Sequence, residues 1–388
     1  MQVINTMVNR SINISGYLST DPFRISALYP LLFILLSFQP WNLRAQFQLG
    51  RHDGPYFFYE NGKTEWICVS DGIIKRDTTV GTFSVSTEDG RHRFTVSRHP
   101  LVSPAPATYR RSDKLMVLSD PHGDFESFHS ILKSQQVIGS NYEWTFGKNH
   151  LVIIGDVFDR GQDVLPIFWL IYKLEDEAAK AGGRVYFLLG NHEEMLLRGN
   201  YKYTQGKYMT LADNIGRKYR DFWASNTELG QWLQSKNTIE KVGKYLFVHA
   251  GLSAAMLNPK WTIDAINDSV RHHLFRTKAE RQRSAAAEFL FGSEGPLWYR
   301  GMVKQEEKYQ PLSATDLKKI LKKYAVERIF VGHTIFDEAS SFYEGKVYGV
   351  NVPNEANRLK GSSRGLLIAD GKLILVYDDA TKNKVINK

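Results

Sequence analysis

Five short aliphatic runs in this chain each give way at once to residues that can bind a cation or move a proton. Leu115–Leu118 leads into Ser119-Asp120-Pro121-His122-Gly123, and Leu151–Ile154 into Gly155-Asp156-Val157-Phe158-Asp159-Arg160-Gly161. Val185–Leu189 leads into Gly190-Asn191-His192-Glu193, Tyr245–Val248 into His249-Ala250-Gly251, and Arg328–Val331 into Gly332-His333-Thr334. Two more runs, Leu366–Ile368 and Leu373–Val376, follow near the end. Continuous apolar runs of this length predict strands buried on both faces. Between several of them lie helical patterns, such as Val164–Ala181 closed by Gly182-Gly183. The alternation predicts an α/β domain. In such sheets, ligand sites form outside the carboxyl ends of the strands, where all five motifs fall.

The donors gathered there are Asp120, His122, Asp156, Asn191, His249 and His333. They offer oxygen and nitrogen but no sulfur, which suits Mn, Fe, Zn or similar ions. Cys68 is the one cysteine, so an intrachain disulfide and thiolate zinc or CxxC chemistry are excluded. A shared carboxylate can hold two ions about 3.5–4 Å apart. Asp156, on a middle strand of the series, is the natural bridge. A buried cluster of carboxylates and imidazoles has no cheap apolar explanation, because unpaired buried charge costs several kcal/mol.

Taken in order, the five motifs resemble those of the calcineurin-like metallophosphoesterase superfamily and, within it, the phosphoprotein phosphatase family. Leu297-Trp298-Tyr299-Arg300-Gly301 leans toward its Shewanella-like bacterial branch, and Leu229-Gly230-Gln231-Trp232-Leu233 is similar to a segment of the same family. The resemblance covers about residues 112–380. It implies the metallophosphoesterase fold, central β-sheets flanked by helices in an αββα sandwich. It also implies two metal ions, Mn foremost and Fe or Zn as alternatives. Asp120, His122 and Asp156 would hold the first, and Asp156, Asn191, His249 and His333 the second. His192 would be the general acid, oriented by Asp159. Arg160 and Arg300, with Asn191, would bind the substrate phosphate. Asn351-Val352-Pro353-Asn354-Glu355 matches only part of the Ser-Ala-Pro-Asn-Tyr segment of eukaryotic Ser/Thr members, a departure that counts against a eukaryote-like specificity without deciding the substrate.

Ahead of the main domain, Tyr56–Glu60 and Thr64–Val69 flank Asn61-Gly62, a type I′ turn pair, and Thr82–Ser86 and Arg91–Ser97 flank Asp89-Gly90. These predict a small β-rich module within residues 46–110, with Cys68 in its core, followed by the phosphoesterase domain at 111–388. Two polar, aromatic-rich stretches, 194–241 and 254–325, read as helical inserts. Trp223 and Trp232 read as packing for the insert, Glu193 as structural, and Asp124 as the cap of a helix starting near Phe125. The seven histidines outside the motifs, His272-His273 included, carry no site role. The apolar run Ala27–Phe38, with Arg24 before it and Ala45 after it, predicts a signal peptide over residues 1–45, cleavage before Gln46 and a periplasmic or secreted protein. At about 12 residues it is too short to span a membrane, which takes about 20.

The function expected on these grounds is hydrolysis of a phosphate monoester by attack of a water bridging two metal ions. The substrate would be a phosphoprotein, phosphotyrosine or phosphoserine/threonine, or a small phosphomonoester. A dinucleoside polyphosphate hydrolase on the same fold is the nearest rival, and export argues against it. Phosphodiesterase relatives often add a ligand in Gly-His-x-His, whereas Gly332-His333-Thr334-Ile335 has no second His. A catalytically inactive binding protein should have lost a ligand or the acid, and none is missing here. The net charge of +9 is spread along the chain rather than clustered, so no nucleic-acid partner is expected.

Overall fold

Side chains alternate across a strand, and here both faces of two sheets are apolar. Leu115 and Val117 point into a layer shared with Val152, Ile154 and Tyr186 of their own sheet and Val242, Phe247, Phe330 and Tyr348 of the other. Their neighbours Met116, Leu118, Leu151 and Ile153 join a second core with the helices Phe125–Ser134 and Val164–Lys180. Burying each such side chain is worth about 1.5–3 kcal/mol. The result is two six-stranded sheets face to face with helices outside, the αββα sandwich expected. The computed structural model describes residues 48–386 apart from 80, 100–103 and 105. The expected leader and its cut after Ala45 lie outside the described residues.

One sheet runs in the order Lys384–Val385, Lys372–Val376, Gly365–Ala369, Lys114–Leu118, His150–Ile153, Arg184–Phe187, and its last three strands are parallel. The other runs Ser340–Phe342, Val347–Gly349, Arg328–Val331, Tyr245–Val248, Ile239–Val242, Thr108–Tyr109. There Tyr245–Val248 and Arg328–Val331 are parallel neighbours. The five motif strands therefore divide three and two between the sheets.

Before them, His52–Glu60, Lys63–Ser70 and Ile73–Asp77 form an antiparallel sheet, and Thr82–Ser86 pairs with Arg93–Ser97. Asn61 and Gly62 take φ of 52° and 73°, as a type I′ turn requires. The second expected turn, at Asp89-Gly90, lies in a loop that Thr87 N closes by donating to His92 O, with Gly90 at positive φ. Tyr56, Phe57 and Phe58 are all buried. Phe57 meets Trp169 of the helix Val164–Lys180, while Tyr56 and Phe58 meet Phe222 of the first insert. Cys68, expected in the core, is half-buried instead, because its strand presents that side to an open concavity.

Both inserts are largely helical. The first carries Gly206–Asn214 and Glu228–Gln234, with Trp223 and Trp232 fully buried. The second carries Ile263–His273, Lys278–Arg281, Ala285–Leu290 and Ala314–Tyr324. No described helix is long and apolar enough to cross a membrane.

Candidate functional site

Each motif begins where a strand stops, and in three of the five the chain turns there through strained backbone. Asp120, His122, Asp156, Asp159, Arg160 and His333 all have φ between 44° and 71°. Non-glycine residues rarely adopt this region, and such residues cluster at functional sites. The turns are cross-linked: His122 N donates to Asp156 O at 2.9 Å and Gly332 N to His249 O at 2.7 Å. His333 N faces both oxygens of Asp120 at 3.1 and 3.2 Å. Glycine is required where two motifs touch, since a Cβ on Gly155 would fall 2.7 Å from Gly190 N.

Glu193, fully buried, organises this crossing. One oxygen accepts from Asp156 N and Gly190 N at 2.8 and 2.7 Å. The other accepts from Val157 N and Phe158 N at 2.8 and 3.2 Å. The carboxylate thus satisfies four amides that the turn and the helix Asn191–Leu197 would leave orphaned. Asp124 caps the helix Phe125–Ser134 by accepting from Ser127 N at 3.0 Å, as expected.

Asp156 stands at the centre. Its Oδ1 accepts from His192 N at 2.8 Å. Its Oδ2 faces Nε2 of His249, His122 and His192 at 3.2, 3.8 and 4.0 Å. Burial alone would raise its pKa, but the surrounding imidazoles outweigh burial and hold it well below the carboxylate range. Asp120 is also buried, hydrogen-bonded by the Ser119 hydroxyl, and burial pushes its pKa up to about 7.

The donor set fits cations. His249 Nδ1 donates to Ile154 O at 2.9 Å, and His122 Nδ1 donates to Phe158 O at 2.9 Å. Each imidazole therefore turns Nε2 inward, the arrangement found in metal-ligating histidines. His249 Nε2 meets Asn191 Oδ1 at 2.9 Å as well as Asp156 Oδ2, so three acceptor-bearing groups converge. Without a cation among them, His249 must hold an extra proton; burial opposes that proton, yet Asp156 raises its pKa to about 9. His333 Nε2 is buried with no hydrogen-bond partner. Two groups have ligand atoms within 4.8 Å of one another: His122, Asp156 and His192, and Asp156, His249 and His333. Asp156 belongs to both. Asp120 lies outside these groups, its oxygens turned to His333 N and Ser119.

His192 Nδ1 donates to Asp159 Oδ2 at 2.7 Å. Burial would lower its pKa, but the charges of Asp156 and Asp159 prevail and raise it. Arg160 is exposed at the rim, with its guanidinium 5.9 Å from the Tyr203 ring. Arg300 is half-buried, and its Nη1 reaches Thr334 Oγ1 at 3.0 Å and His333 O at 3.4 Å. Of the residues singled out from sequence, His122, His192, His249, His333 and Asn191 gather around Asp156, while Asp120 turns to His333 N and Ser119, Asp159 stands behind His192, and Arg300 lies against His333 and Thr334.

Sequence reasoning missed the residues that brace Asp159 and Arg160. Thr204 Oγ1 donates to Asp159 Oδ1 at 2.7 Å, Arg160 N donates to Tyr203 O at 3.0 Å, and Gln205 donates to Arg160 O. These three sit in the first insert, which has no motif to mark them. Asn354, in the segment that matched only in part, donates to Asp120 O at 3.1 Å and so ties it to the first motif.

A family model described as calcineurin-like phosphoesterase matches residues 114–336. Shewanella-like protein phosphatase 1 of Plasmodium berghei (strain Anka) is 31% identical over 223 residues, 57% of this chain and 61% of that protein. Shewanella-like protein phosphatase 2 of Arabidopsis thaliana is 26% identical over 272 residues, 59% of this chain and 68% of that protein. Among solved structures, a cold-active protein-tyrosine phosphatase of a psychrophilic Shewanella species matches with a TM-score of 0.78 at 30% identity, over 87% of this chain and 99% of that one. The chain spans 61% of the length of the first of these curated relatives.

Proposed function

Since this chain belongs to the calcineurin-like phosphoesterase family, we propose that it is a metal-dependent phosphatase that hydrolyses phosphate monoesters on a phosphoprotein. The observation that carries this reading is the convergence on Asp156 Oδ2 of three imidazole Nε2 atoms, beside a buried, unpartnered His333 Nε2. Asp120, His122 and Asp156 would hold one cation, and Asp156, Asn191, His249 and His333 a second, the oxygen and nitrogen donors suiting Mn, Fe or Zn. Such ions supply charge neutralisation of the phosphoryl oxygens and an activated nucleophile.

The chain's own residues do the rest. Arg160 and Arg300 flank the cluster with guanidinium forks suited to phosphate oxygens, and Asn191 adds an amide. They bind substrate and stabilise charge that grows in the transition state. His192, held through Nδ1 by Asp159, turns Nε2 toward the cluster and can deliver its proton to the leaving oxygen. Asp159 fixes the ring and favours the protonated form. Attack by water leaves no phosphoenzyme on the chain. The apolar run at residues 27–38 supports an exported site of action.

The test is a panel of phosphotyrosyl and phosphoseryl peptides and dinucleoside polyphosphates, assayed with Mn²⁺-loaded protein. Release of phosphate from the peptides is expected. Cleavage of the dinucleotides alone would replace this reading by the nucleotide hydrolase.

A further inference from the structure

Three successive residues of the first insert lie across Asp159 and Arg160, and each makes a polar contact with that pair. Arg160 N donates to Tyr203 O at 3.0 Å, Thr204 Oγ1 donates to Asp159 Oδ1 at 2.7 Å, and the Gln205 amide donates to Arg160 O. The segment is itself fixed. Thr204 N donates to Tyr201 O at 3.1 Å, and the helix Gly206–Asn214 starts directly after Gln205. In that helix Lys207 pairs with Glu88 of the β module at 2.7 Å, and the hydroxyl of the buried Tyr208 donates to Gln162 O at 2.7 Å. The Tyr203 ring stands against the His192 ring, with centroids 5.3 Å apart.

Asp159 depends on such support. It sits at a φ of 71°, and its side chain is fully buried. Among the described residues each carboxylate oxygen has one side-chain partner: Oδ2 accepts from His192 Nδ1 at 2.7 Å, and Oδ1 accepts from Thr204. Together the two bonds set the plane of the carboxylate, and that plane sets the direction of the His192 ring. Without the hydroxyl, Oδ1 would be a buried acceptor with no donor, a state that costs more than a made bond contributes. The carboxylate would relieve that cost by turning, and the imidazole would turn with it or lose its partner. Helix capping does not account for the hydroxyl, because the N-cap position of Gly206–Asn214 is Gln205 and has no side-chain cap bond.

We propose that Thr204 is a positioning residue for the general acid: through Asp159 it aims His192 Nε2 at the leaving oxygen. The inference rests on the phosphatase reading above, with His192 as the acid. In that step the water oxygen bonds to phosphorus while the bond from phosphorus to the ester oxygen breaks. The His192 Nε2 proton passes to the ester oxygen, one water proton returns to His192, and the other stays on phosphate. An alkyl leaving group needs the proton delivered in line, and a misplacement of about 1 Å can cost about 10²-fold. A nitrophenyl leaving group departs without it, so the aim of His192 matters little there.

The experiment measures kcat and KM of Mn²⁺-loaded wild type, Thr204→Val, Thr204→Ser, His192→Asn and the double variant Thr204→Val/His192→Asn on an alkyl phosphate and on nitrophenyl phosphate. Thr204→Val keeps the shape and removes the donor. It should lose about tenfold or more in kcat on the alkyl phosphate and no more than about threefold on nitrophenyl phosphate. KM and metal content should hold, and the nitrophenyl activity shows that the variant is folded. Thr204→Ser, which restores the hydroxyl, should recover most of the alkyl rate. The double variant should be no slower than His192→Asn alone, since a residue that acts only through His192 has nothing left to position. Equal losses on both esters, additive losses in the double variant, or an alkyl rate within about twofold of wild type would overturn the inference and leave the phosphatase reading intact. Equal losses on both esters for His192→Asn would remove the acid itself, and the inference with it. If wild type hydrolysed neither ester, the phosphatase reading would fall as well.

Discussion

His192 lies between two carboxylates, and its two nitrogens do different work. Nδ1 is committed to Asp159, which leaves Nε2 for the proton transfer proposed above. Replacing His192 by Asn should therefore cost about 10²–10⁴-fold in kcat on an alkyl phosphate, which needs that proton. On nitrophenyl phosphate the loss should be much smaller, because the leaving group departs unprotonated. Metal content, measured by elemental analysis, should hold. Metal loss, or equal losses on both esters, would remove His192 from the acid's role. Glu193, one residue further on, shapes the geometry: its carboxylate accepts from four backbone amides of the turns. Glu193→Gln would turn an amide NH₂ toward backbone N–H groups that now find a carboxylate. A loss of about 2–3 kcal/mol in chemical denaturation is expected. The site ligands were legible because each sits beside a recognisable strand end. Tyr203, Thr204 and Gln205 were not, because they meet Asp159 and Arg160 through backbone and hydroxyl contacts that leave no pattern in a polar insert.

Strands that read as continuous apolar runs did so because they are buried twice, once between the sheets and once under helices. The same logic escaped notice at Tyr56-Phe57-Phe58. An aromatic triplet in a hairpin suggests one covered face, but Phe57 packs on the helix Val164–Lys180 while its neighbours pack under the first insert. Nothing in the hairpin itself announces the second cover. The strand Ile239–Val242 carries a polar exception to this double burial. Glu240 is buried, with Asn237 donating to one oxygen at 2.8 Å and the other oxygen unpartnered. Burial pushes its pKa up to about 8, against the usual 4.5. Between those values the unfolded chain has released a proton that the folded chain still holds, so stability falls as pH rises across that window. Glu240→Gln does not titrate. Its stability relative to wild type should therefore climb from pH 4.5 to about 8 and then level off, as read by thermal melts at a series of pH values. A gap that does not change with pH would mean that Glu240 ionises normally in the fold.

At the scale of the whole molecule, the site is made by two sheets meeting. His333 N reaches the Asp120 carboxylate across 213 positions of sequence, from one sheet to the other. Sequence order told which motifs belong together but not how they divide between sheets, since every motif strand is equally apolar. The leader expected over residues 1–45 makes its own prediction. N-terminal sequencing of the protein from its native host should return Gln46 first, and a retained Met1 would contradict export. The central claim is that the centre around Asp156 is a metal site on which hydrolysis depends. Its most direct test is calorimetric titration of metal-free protein with Mn²⁺, run beside phosphate release, for wild type and Asp156→Asn. Wild type should take up two ions per chain, with hydrolysis appearing as they bind. Asp156→Asn should lose tight binding and activity on every ester alike. Full hydrolysis by metal-free protein, or unchanged uptake by the variant, would contradict the account.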